Sequence, residues 1–84
     1  MENEKNRPVQ EVKIGGIIAA IWKNEYETGV GYRLTFHRLY KDGEAWKRTE
    51  VFRQKDLSLL EGVVRQAGVS LALRQWSDKL SAEA

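Results

Sequence analysis

The sequence predicts an α+β fold, a curved antiparallel β-meander of three to four strands followed by one C-terminal helix. Three observations carry it. β-Branched and alternating apolar residues fill the stretch from Val12 to Gln54, with glycines between the apolar runs. Asp42-Gly43 is a short-range hairpin signal inside that stretch. From Leu57 onward the apolar period changes to three and four, the spacing of a core-facing helix. At 84 residues the chain fits one small domain, and its 42% hydrophobic content is that of a folded protein.

Residues 1–11 are polar and charged, hold the only proline, Pro8, and show no apolar period, so they read as a disordered N-terminal tail. The domain proper spans 12–78. Its first strand, Val12 to Glu25, carries β-branched residues on both alternating phases, as a strand covered on both faces does. Gly15-Gly16 interrupts it. A bulge or sharp bend there suits a curved sheet, and a full break would create a fourth, short strand. Asn24 to Gly31 reads as a turn with Gly29 and Gly31 at positive φ.

The second strand, Tyr32 to Lys41, sets Tyr32, Leu34 and Phe36 against Arg33, Thr35 and His37. The alternation slips at Arg38 and Leu39, which implies a strong twist or a bulge. Asp42-Gly43 then predicts a type I′ turn, with the return strand over Glu44 to Gln54. Asp56 is placed to cap a helix built on Leu57, Leu60, Val64, Ala67 or Gly68, and Leu71, with Leu59 and Val63 widening the stripe. Gly68 either ends that helix or kinks a longer one reaching Ser77, and 79–84 read as frayed.

Several function classes drop out on composition. No cysteine and one histidine leave neither a disulfide framework nor a thiolate or histidine metal site, and no cofactor is implied. No serine lies in a nucleophile-elbow setting, no glycine pattern forms a phosphate loop, and the paired acids sit in exposed turns, so the chain is read as non-catalytic. No apolar run reaches the roughly 18 to 20 residues of a membrane helix or forms a signal peptide, which gives the expectation of a cytosolic protein.

The net charge is only +2, but its placement is uneven. Residues 29–55 hold seven basic and three acidic groups, an excess of +4, while no other segment exceeds zero. Seven of the eight aromatic residues fall in the strands and turns, interleaved with those cations. Rings to stack bases and cations to follow a phosphate backbone are how a sheet holds single-stranded nucleic acid. On that basis Lys23, Arg33, Arg38, Lys41, Lys47, Arg48 and Arg53 are expected at phosphates, and Trp22, Tyr40 and Trp46 at bases. His37 reads as a surface strand residue, and Phe36 as core. One helix covers only one face of such a sheet, so a partner is expected on the rest. Leu71, Leu73, Trp76 and Leu80 extend the helix's apolar content enough for a homodimer through helix and sheet. A protein-interaction module using the open face or an edge strand is the alternative.

Over residues 12 to about 67 the sequence resembles a group of small bacterial proteins that share an Ile-Trp-Lys-Asn-Glu strand end, a Thr-Phe-x-Arg-Leu-Tyr-Lys-Asp-Gly hairpin and a Trp-Lys-x-Thr return strand. More distantly it is similar to the positive cofactor four family of transcriptional coactivators. That resemblance implies a curved sheet followed by a helix, a dimer, and single-stranded DNA held across the sheet. By position it places Arg33, His37, Arg38 and Lys41 of the second strand, and Trp46, Lys47, Arg48 and Arg53 of the third, in the nucleic-acid-contacting region. The return segment here is shorter than the family's and includes Glu50 where a further cation would help.

Overall fold

A computed structural model describes residues 7–83, with side chains through residue 80. Four antiparallel strands follow in chain order, β1 (Gln10–Ile14), β2 (Ile17–Tyr26), β3 (Gly29–Asp42) and β4 (Ala45–Thr49), and pair in that same order as an open, uncurled meander. A 3-10 turn, Gln54–Asp56, leads into one helix, α1 (Leu57–Glu83).

The glycine pair resolves the strand count at four. Gly15-Gly16 does not bend one long strand but turns the chain back on itself, with Ile14 opposite Ile17. Gly15 has φ 62 and Gly16 is not at positive φ, the pattern of a type II′ hairpin, whose first central residue is glycine. The Asp42-Gly43 hairpin is shifted by one residue from the expected type I′ turn. Asp42 pairs with Ala45, so Gly43 and Glu44 are the central residues, and only Gly43 (φ 65) is left-handed. Gly29 takes a positive φ as expected, but Gly31 does not.

No bulge interrupts β3. Its register with β2 runs unbroken from Ile17↔Arg38 to Tyr26↔Gly29, so plain alternation puts Arg38 on the side of Ile17 and Leu39 on the opposite side. The return strand is shorter than expected: β4 stops at Thr49, and Phe52 reaches the core from the link that follows. Residues 10 and 11 belong to β1, and the Val9 amide donates to the Ile21 carbonyl at 2.8 Å, so the polar N-terminal stretch joins the sheet before Val12. The expectation for residues 1–6 lies outside the described residues. Helix α1 passes Gly68 without ending and includes 79–83, where fraying was expected; residue 84 lies outside the described residues.

Cross-strand partners share a face. One face carries Val12, Ile14, Ile17, Ala19, Leu34 and Phe36, and against these α1 sets Leu60, Val63 and Ala67. This is the core. Polar contacts hold the C-terminal half of α1 on the same side: the Tyr32 hydroxyl donates to Asp78, and Arg74 donates to the Gln10 side chain and the Val9 carbonyl. Burial first, and then the Asp78 contact, raise the Tyr32 pKa, so the phenol stays a donor.

Candidate nucleic-acid interface

The opposite face has no helix on it. By register it presents Glu11 and Lys13 from β1, and Ile18, Ala20, Trp22, Asn24 and Tyr26 from β2. From β3 come Arg33, Thr35, His37, Leu39 and Lys41, and from β4 Trp46 and Arg48. Its centre is nonetheless dry, with Ile18 5% and Ala20 2% exposed. Ile18 stands in one row with Lys13 and His37, and Ala20 in one row with Glu11 and Thr35.

Two cation–aromatic pairs mark the ends of the face. Trp22 lies directly across from Arg33, whose guanidinium carbon is 4.9 Å from the indole centroid, and the Trp22 N–H donates to the Thr35 hydroxyl at 2.9 Å. Trp46 lies directly across from Lys41, whose Nζ is 5.4 Å from its ring centre. Trp46 is 66% exposed, a large apolar ring that water does not favour. Arg33 and Lys41 are eight residues apart on β3, about 26 Å at the usual strand rise.

His37 occupies the middle of the face. It is buried, which corrects the expectation of a surface residue: Ile18 lies across from it on β2, and Arg48 crowds it from β4. The Arg48 guanidinium approaches Nδ1 at 3.5 Å. Burial and then Arg48 lower the His37 pKa, while Glu11 and Glu50 oppose the shift. The ring is therefore neutral near pH 7 and an acceptor toward Arg48.

The sequence-derived set divides between the two sides. Trp22, Arg33, Lys41, Trp46 and Arg48 come together on the open face. Lys23, Arg38, Tyr40 and Lys47 alternate to the helix side, and Arg53 lies in the link before α1. Three of these already have acidic partners. Lys47 pairs with Asp42 at 2.9 Å, both side chains exposed. Arg38 and Arg53 converge on buried Asp56, at 3.3 and 3.0 Å from Oδ2, and the Arg53 amide donates to the same oxygen at 2.8 Å. Arg38 also donates to the Val51 carbonyl at 3.1 Å, tying β3 to the link after β4. The Arg53 hydrogen bonds, followed by its charge and that of Arg38, hold the Asp56 pKa down at about 2. Asp56 is thus the last residue of the 3-10 turn, reaching back to the Arg53 amide, rather than a free cap on α1.

One lysine and one tyrosine of the face were not in that set. Lys13 belongs to it, 3.6 Å from Glu11, because β1 is a separate strand. Tyr26 also belongs to it, beside Gly31, where a Cβ would lie 3.2 Å from the Tyr26 ring. The alternation of 10–14 and of 22–26 is the signal that would have found both.

Among the described residues, no cluster of three or more His, Asp or Glu is placed to hold a metal, and no helix is long and apolar enough to cross a membrane. The fold and this face define a four-stranded meander with one covering helix and one bare, cation-rich side. No family model matches the chain, and neither a curated protein nor a solved structure does.

Proposed function

We propose that the protein binds single-stranded nucleic acid, DNA in preference to RNA, across the open face of its sheet and with little sequence preference. The observation that carries this reading is the pair of cation–aromatic contacts, Trp22 with Arg33 and Trp46 with Lys41, on one helix-free face with Arg48 between them. In the strands this face holds four cations, Lys13, Arg33, Lys41 and Arg48, against one carboxylate, Glu11. Bases stack on the exposed rings while the cations follow the phosphates, neither of which requires reading a base edge. The distant resemblance to the positive cofactor four family implies the same use of a sheet. Relative to the sequence expectation, Lys23, Arg38, Tyr40, Lys47 and Arg53 leave the contact set.

Fluorescence anisotropy of a labelled oligonucleotide, single-stranded and duplex, tests the reading at two salt concentrations. Single-strand binding that weakens with salt is expected. Absence of binding at low salt, or binding with no salt dependence, refutes it. A second reading has its own observation: β4 is a short edge strand, almost wholly exposed, and it offers an unpaired backbone edge to an extended peptide. That reading predicts Trp46 quenching by a protein ligand and none by oligonucleotides.

A further inference from the structure

Three side chains at one end of the open face are linked in series. Thr35 stands diagonally across from Trp22, and Ala20, directly across from Thr35, is too small to stand between them. The Trp22 N–H therefore reaches the Thr35 hydroxyl at 2.9 Å, which fixes the half-buried ring by its polar edge. Arg33, directly across from Trp22, lays its guanidinium over that ring, its central carbon 4.9 Å from the centroid.

We propose that these three residues form a preset phosphate clamp, in which Trp22 is a positioning residue that holds the Arg33 guanidinium ready for a backbone phosphate and Thr35 fixes the ring. The clamp rests on the nucleic-acid reading above and narrows it, because Trp22, expected at a base, stacks on an arginine instead. The ring face that a base needs is covered by the guanidinium. A planar guanidinium stacked on a ring keeps its N–H donors in its own plane, where they match two oxygens of one phosphate.

What holds an arginine decides what it can still bind. Arg38 and Arg53 are held by the Asp56 carboxylate, which neutralises them. Among the described residues the Arg33 guanidinium has no carboxylate partner, so the ring supports it while its charge and its donors stay available. The other cation–aromatic pair is built differently. Lys41 ends in a compact, strongly hydrated ammonium with no plane to stack, and Trp46, 66% exposed, remains the ring for a base.

A labelled single strand and the same strand made abasic throughout, titrated by anisotropy, separate a phosphate clamp from a stacking site. Trp22→Leu should weaken binding of both by one common factor, about 2- to 30-fold from the range of cation–aromatic contacts. In an Arg33→Ala background it should cost less than about twofold more, because Trp22 acts through Arg33. Thr35→Val should move the Trp22 indole N–H resonance and lower affinity for both strands about 2- to 12-fold, while Thr35→Ser, which keeps the hydroxyl, stays near wild type in both measurements. Far-UV circular dichroism checks folding, and the Thr35 pair decides alone if Trp22→Leu does not fold. A Trp22→Leu loss confined to the base-bearing strand, or undiminished without Arg33, makes Trp22 a stacking residue and overturns the clamp. Thr35→Val binding like wild type overturns it too. A wild-type chain that binds the base-bearing strand and not the abasic one overturns the clamp alone; one that binds neither overturns the interface and the clamp together.

Discussion

Replacing Arg33, Lys41 and Arg48 together by alanine removes three of the four strand cations that share the open face, leaving Lys13. If all four neutralise phosphates, the logarithm of affinity for a single strand falls with the logarithm of salt at a slope of about −2.8, taking ~0.7 per contact. A rise from 50 to 200 mM salt then costs the wild-type protein about 50-fold in affinity. The triple variant, at a slope of about −0.7, loses only about threefold over the same range and binds far more weakly at the lower salt. Lys23 and Lys47 lie on the helix side, so their double alanine variant removes two charges from the molecule while leaving the face intact. Its slope should match wild type. Anisotropy titrations of the three proteins at four salt concentrations read these slopes directly. Equal reductions in both variants would refute the reasoning, because net charge rather than the open face would then govern binding.

Three further outcomes follow from named contacts. Trp46→Ala removes an exposed ring that the proposed binding uses for stacking, and oligonucleotide affinity should fall about 5- to 150-fold, from roughly 1 to 3 kcal/mol per stacked base; an unchanged Kd excludes Trp46 from the site. Asp56 has a folded pKa of about 2, below its ordinary 3.8, so its clamp on Arg53 and Arg38 contributes stability that is present above about pH 4 and lost as pH falls through 2. Thermal melts should show Asp56→Asn less stable than wild type at pH 6, with the gap closing toward pH 2; a gap independent of pH contradicts the assigned partners. Ile17 is 1% exposed in the core, and Ile17→Ala should lower unfolding free energy in urea by about 2 to 5 kcal/mol, a large part of what a small domain has. A loss below about 1 kcal/mol would mean that the helix does not seal this face.

The alternation of Tyr32 to His37 and of Ala45 to Arg48 is visible in the sequence and assigns side chains to two sets correctly. Periodicity cannot say which set the helix covers. That choice comes from Val63 and Ala67 meeting Ala19 and Val12 across the core, a contact between distant segments. The same limit placed Arg38 and Arg53 among the phosphate contacts. Nothing local to Arg38 reveals Asp56, 18 positions later, and an arginine held by a buried carboxylate looks identical in sequence to a free one. β1 was hidden for a different reason: its residues are mostly polar, and what holds it is the backbone ladder to the apolar start of β2. His37 is buried by its row across the sheet, with Ile18 and Arg48 as neighbours, which only the strand register discloses.

Amide and indole NMR shifts on titration with a short single-stranded oligonucleotide show whether the helix-free face of the sheet is the binding surface. The largest changes are expected at Trp22, Arg33, Thr35, Trp46 and Arg48, including both tryptophan indole N–H signals of the face, with α1 from Val69 to Leu80 little affected. Shifts concentrated on α1, or none at saturating oligonucleotide, would contradict that reading.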